Sequence, residues 1–213
     1  MNDMDDQFVK VGDNKIMVEQ GRLNLSNQGI KDISEIEGLE NLINLRALTL
    51  ADNQITEIKG LESLTNLQML VLAKNQIAEI KGLETLTNLQ RLELRENQIT
   101  EIKGLETLTN LKNLVLLSNQ ITEIKGLESL TNLQVLVLAN NQITEIKGLE
   151  SLTNLERLDL SYNQITEIKG LETLSKLHLV YIMGNELLED LNEKFGGNGE
   201  KYVKYCQKQR KEI

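Results

Sequence analysis

From Leu42 to Thr173, leucine, isoleucine and asparagine recur at fixed places in a 22-residue phrase, LxNLxxLxLxxNQITEIKGLEx, written six times. In the second copy the apolar positions are Leu64, Leu67, Leu70, Leu72, Ile77, Ile80 and Leu83. Leu70 and Leu72 alternate with Met69 and Val71, the two-residue period of a strand whose side chains point to opposite faces. The alternation is brief and predicts a strand of about three to five residues. Beyond Asn75 the spacing changes to three, through Ile77, Ile80 and Leu83, which predicts an irregular or 3₁₀-like return rather than a long α-helix. A strand out and a coil back within 22 residues make one turn of a solenoid.

Burying the apolar residues of one repeat offers a gain no larger than the entropy lost on fixing its backbone, so a single repeat cannot stand alone. Neighbours must stack their leucines and pair their strands in a parallel sheet. Two further columns fit that stack. Gly60, Gly82, Gly104, Gly126, Gly148 and Gly170 sit where each return bends. Asn53, Asn75, Asn97, Asn119, Asn141, Asn163 and Asn185 stand where each strand ends, and a carboxamide that both donates and accepts can satisfy the backbone groups leaving the sheet there.

The frame extends past the six full copies. Before them come Arg22, Leu23, Asn24 and Leu25, with Gln28 at the asparagine position, then Ile30, Ile33, Ile36 and a three-residue insertion before Gly38. After them come Leu174, Leu177, Val180, Ile182 and Asn185. Open ends of a solenoid expose core and strand edges, so caps are expected. Phe8 to Val11 and Ile16 to Val18 flank Gly12-Asp13-Asn14 as a hairpin. At the other end Leu187, Leu188, Leu191 and Phe195 share a helical face, Gly196-Gly197-Asn198-Gly199 breaks the helix, and a second helix from Glu200 turns Tyr202, Val203 and Cys206 toward the core. The division is then an N-terminal cap over 1–21, a solenoid over 22–185 and a helical cap over 186–213.

LxxLxLxxN matches the leucine-rich repeat signature, and the 22-residue LxxLxxLxLxxNxIxxIxxLxx form resembles the SDS22-like class, shared by phosphatase-regulatory proteins and bacterial internalins. The match covers Leu23 to Asn185. It implies an α/β solenoid, a leucine-rich repeat horseshoe with a parallel concave sheet of about eight short strands, a 3₁₀ or irregular convex side and an α-helical C-terminal cap. It also implies a protein phosphatase catalytic subunit as one possible partner.

Composition adds bounds. The chain has 213 residues, 40% of them hydrophobic and 3% aromatic, so the core must be aliphatic. The net charge of −9 belongs mostly to the fixed Glu and Lys positions of the repeat, such as Glu57, Lys59 and Glu62, and so says little about a ligand. Those unvarying columns read as a solvated convex face, with an electrostatic docking strip as the alternative. Lys201, Lys204, Lys208 and Lys211 form a similar stripe on the last helix. One cysteine rules out an internal disulfide framework, and MNDMDD is acidic where a signal peptide starts basic, so a cytoplasmic location is expected. No apolar run is long enough to span a bilayer as a helix.

Variation is concentrated on one face. The residues flanking the inward leucines are Ala47/Thr49, Met69/Val71, Arg91/Glu93, Asn113/Val115, Val135/Val137, Arg157/Asp159 and Leu179/Tyr181, followed by Ala51, Ala73, Arg95, Leu117, Ala139, Ser161 and Met183. An apolar window around Asn113, Val115, Leu117, Val135, Val137 and Ala139 lies between two repeats that carry arginine with an acid. A second lies at Leu179, Tyr181 and Met183 near Tyr162. Aliphatic centres edged by arginine and tyrosine resemble protein-binding hot spots. The plainer reading is that valine suits an exposed strand and that Arg91/Glu93 and Arg157/Asp159 pair with each other.

Catalysis has little to work with. His178 is the only histidine and Cys206 the only thiol, in different structural units, and neither a GxSxG nor a P-loop is present. The reading is a non-enzymatic, monomeric scaffold without cofactor or metal that holds a protein or peptide on its concave face, and neither nucleic acid nor membrane. The alternative is a structural module that self-assembles.

Overall fold

The computed structural model describes residues 7–185 and 189–209. Eight three-residue strands form one parallel sheet: β3 (Arg22–Asn24), β5 (Ala47–Thr49), β6 (Met69–Val71), β7 (Arg91–Glu93), β8 (Asn113–Val115), β9 (Val135–Val137), β10 (Arg157–Asp159) and β11 (Leu179–Tyr181). Their order follows the sequence, and every neighbouring pair is in the same register, so Leu92, Leu114, Leu136 and Leu158 lie side by side at 0% exposure. The returns of the full repeats are turns and bends without helix. Only the first, degenerate repeat tightens into 3₁₀ turns, at Ile33–Glu35 and Leu39–Asn41.

The asparagine column joins each coil to the one before it. Asn119 Oδ1 accepts from Ile99 N–H at 3.0 Å, while its Nδ2 donates to the carbonyls of Leu94 at 3.0 Å and Leu116 at 3.1 Å. The pattern recurs from Asn53 to Asn185, which ends it at 0% exposure. Gln28 holds the frame position but not the role: it is exposed, and the ladder starts when Asn53 accepts from the backbone of Gln28 and Ile30. A second amide column, hidden in the phrase LxNL, runs up the other side of the strands. Asn88 donates to Thr65 O and Asn110 to Thr87 O, each at 2.9 Å.

The bend glycine of each repeat has left-handed backbone, and in Gly104 an added Cβ would lie 2.4 Å from the carbonyl oxygen of Ile80. The glutamate two residues on closes the turn, as Glu106 accepts from Gly104 N–H at 3.3 Å. This local bond explains why the GLE triplet recurs unchanged. The lysine and glutamate columns stay about half exposed and pair within and between coils, as Lys81 does with Glu79 at 3.9 Å and Glu57 at 3.7 Å.

Both ends are covered. β1 (Phe8–Val11) and β2 (Asn14–Met17) make an antiparallel hairpin around Gly12-Asp13, so Asn14 and Lys15 belong to the second strand rather than to the turn. A third strand, β4 (Ile36–Glu37), pairs with β1 through Val11 and Ile36 and lies within the three-residue insertion. At the far end α1 (Glu189–Phe195) and α2 (Gly199–Gln209) pack Leu191, Phe195, Tyr202, Val203 and Cys206 on the core. Leu187, Leu188 and Lys211 lie outside the described residues. The glycine segment between the helices covers the edge of β11: Val180 N–H donates to Gly197 O and Gly199 N–H to His178 O, each at 2.9 Å. Desolvation pushes the Tyr202 hydroxyl and the Cys206 thiol up, to about 12 and about 11.

Candidate concave interface

With the leucines turned inward, the residues on either side of them point out of the sheet. Register sets them in two unbroken columns: Ala47, Met69, Arg91, Asn113, Val135, Arg157 and Leu179 in one, Thr49, Val71, Glu93, Val115, Val137, Asp159 and Tyr181 in the other. All are half-buried or exposed except Ala47, at 8% exposure. Val115 and Val137 are adjacent in one column and Asn113 and Val135 in the other, so the expected apolar window is contiguous.

The third column behaves differently. Arg95 and Met183 are exposed and Leu117 is half-buried, but Ala73, Ala139 and Ser161 are buried at 0%, 6% and 5% exposure. Ala139 therefore belongs to the floor of the window and offers no contact surface of its own. The chain then passes through a left-handed residue in each coil, and these positions also vary: Asp52, Lys74, Glu96, Ser118, Asn140 and Tyr162, with φ between 54° and 58°. Tyr162 is the bulkiest of them and 57% exposed. Its ring lies where a side chain on residue 184 would go, and residue 184 is glycine. Nothing in the hydrophobic period marks this column, because the turn, not the core, selects it.

The two arginine-acid pairs form as the plainer reading anticipates. Arg91 is held by Glu93, with Nε donating to Oε1 at 2.7 Å, and Arg157 stands 4.0 Å from Asp159. Their aliphatic stems still cover the sheet. Arg157 also lies 5.1 Å from the centroid of the Tyr181 ring, a cation–π distance that fixes the aromatic beside Leu179. Thus Met69, Val71, Arg91, Glu93, Arg95, Asn113, Val115, Leu117, Val135, Val137, Arg157, Asp159, Tyr162, Leu179 and Tyr181 all lie on this face or its exit rim. His178 is exposed and bonded through Nδ1 to Lys176 O at 3.3 Å, while Cys206 is buried.

A leucine-rich repeat family model, describing two copies per match, fits residues 43–85, 87–129, 109–151, 131–173 and 153–194. No curated protein sequence matches the chain significantly. Among solved structures, an internalin of Listeria monocytogenes is 32% identical with a TM-score of 0.69, over 76% of this chain and 48% of that one. Internalin C2 of the same organism is 36% identical with a TM-score of 0.70, over 80% and 76%. A leucine-rich-repeat protein of Leptospira interrogans is 29% identical with a TM-score of 0.65, over 77% and 42%. This chain spans under half the length of the first and third of these relatives. The repeat frame, the parallel sheet and these matches together assign the chain to the leucine-rich repeat family.

Proposed function

We propose that the protein is a non-catalytic recognition scaffold that binds a protein or peptide across its concave sheet. One observation carries the reading: substitutions between otherwise near-identical repeats are concentrated in the outward strand columns and the exit rim, while TEIKGLE scarcely changes. Duplication alone would leave all surface columns equally alike. A surface held by stacked coils loses little entropy on binding, so an apolar window with a few arginines is enough to hold a ligand. Leucine-rich repeat proteins generally act in protein–protein interaction, which supports the same reading. Resemblance to the SDS22-like class nominates a phosphatase catalytic subunit, so that enzyme, purified, is one bait in the test. The proposed location is the cytoplasm, supported by a single thiol that is buried and unpaired.

The test is a pull-down from native cell extract with wild type and with a variant carrying Val115→Asp, Val137→Asp and Arg91→Glu. Partners retained by wild type and lost by the variant support the concave site. Recovery of the same partners by both sinks it. Light scattering across concentration decides between this reading and self-assembly: a defined oligomer that the same substitutions dissolve would make the window a contact between copies.

A further inference from the structure

The charges of the chain are sorted in a way the leucine frame does not require. Every described arginine lies on the concave strands or directly beside them, at Arg22, Arg46, Arg91, Arg95 and Arg157, while the convex columns use lysine. Over the strands and their rims basic side chains outnumber acidic ones, in a protein of net charge −9. Glu93 and Asp159 are taken by the arginines of their own strands and Asp52 stands 4.0 Å from Lys74, while Glu96 beside Arg95 and Glu156 beside Arg157 form no ion pair among the described residues. Arg22, Arg46, Arg95 and Lys112 remain exposed and form no ion pair among the described residues. All four fall between β3 and β8, the N-terminal half of the sheet.

The same half ends in a hollow. The hairpin stands beside the first strands, and the depression between them is lined by apolar surface from Ile16, Met17, Met69 and Ala47 and by the polar side chains of Lys15, Glu19, Gln20, Arg22, Asn24 and Thr49. Met17 and Met69 beside the small Ala47 and Thr49 give this depression an apolar side against which an aliphatic side chain can pack. Met17 is 40% exposed, apolar surface left uncovered by this chain.

We propose that the N-terminal half of the concave sheet takes an extended acidic segment of a partner protein, with an aliphatic side chain in the hollow beside Met17 and its carboxylates on Arg22, Arg46, Arg95 and Lys112. This rests on the concave reading above and names the chemistry of the ligand. Guanidinium forks grip carboxylates in a two-point fashion that lysine does not reproduce, which gives the sorting of arginine a purpose. The distance from β3 to β8 is four strand steps, about 19 Å at ~4.8 Å each, the span of about six extended residues.

The experiment selects random linear peptides displayed on phage against the full chain at low salt, then measures the selected peptides by fluorescence anisotropy. The expected result is a consensus of Asp or Glu around an aliphatic residue, weakened by added salt. Arg22→Glu with Arg95→Glu should weaken it at least tenfold, and Met17→Asp severalfold, with the thermal midpoint held because all three side chains are exposed. Neutral or basic peptides that Val115→Asp with Val137→Asp abolishes would overturn the acidic ligand and leave the concave site standing. Peptides indifferent to every one of these substitutions would remove both. Failure to enrich any peptide, or equal competition by a single-stranded oligonucleotide, would also overturn the proposal.

Discussion

At the scale of single residues the molecule depends on amides placed where backbone would otherwise be stranded. Asn119 accepts from the Ile99 N–H and donates to Leu94 O of the preceding coil and to Leu116 O of its own, with a longer contact to Leu117 O at 3.4 Å. Asn119→Ala leaves the Ile99 N–H buried and unpaired, while Leu94 O keeps its bond from Asn97 and Leu116 O its bond from Asn141, and should cost about 1–3 kcal/mol in urea unfolding. Asn119→Asp should rescue little, since its carboxylate can accept from Ile99 but is buried against the Leu94 and Leu116 carbonyl oxygens with no proton to share. Asp32 acts at the surface instead. Its carboxylate, bonded to Lys59 at 2.8 Å and to Ser34, is held down at about 2. The unfolded chain therefore takes up this proton first as acid is added, and the stabilisation is whole above about pH 4 and fades toward about pH 2. Thermal midpoints of wild type and Asp32→Asn should converge across that window and differ above it.

At the scale of elements, the return loop has two settings. In Gly104 the left-handed backbone coincides with an Ile80 carbonyl 2.4 Å from the site of a Cβ, whereas Gly60 has nothing nearer than 3.9 Å because the preceding coil is the degenerate one. Gly60→Ala should cost on the order of 1 kcal/mol from φ alone, and Gly104→Ala clearly more, compared by denaturant midpoints. The sequence carried the strands, the returns and the asparagine rungs because period and polarity are written in residue type. It did not carry β4, since Ile36 and Glu37 pair with a hairpin far away in the chain and obey no local period. Nor did it mark the left-handed column, where Lys74, Glu96 and Tyr162 tolerate φ near 55° because the rungs around them dictate it. On the concave face, the direction of the columns followed from alternation, but the burial of Ala139 and the stacking of Arg157 on Tyr181 needed neighbouring coils to be placed.

At the scale of the whole molecule, stability is passed between neighbours and must be closed at both ends. Tyr202 closes one of them, buried at 0% exposure with its ring 4.9 Å from that of Phe195 and nearly perpendicular to it. Tyr202→Ala should cost about 3–5 kcal/mol, lower the thermal midpoint and, by freeing the β11 edge, raise light scattering with concentration. The asparagine rungs carry a different consequence. Each reaches backward for the same groups in the same way, so any internal junction is chemically interchangeable with any other. Excising one whole 22-residue unit therefore leaves a seam like those already present, and the number of turns becomes a quantity that recombination can change without inventing new termini. In such a protein the reach of the concave sheet is inherited by counting.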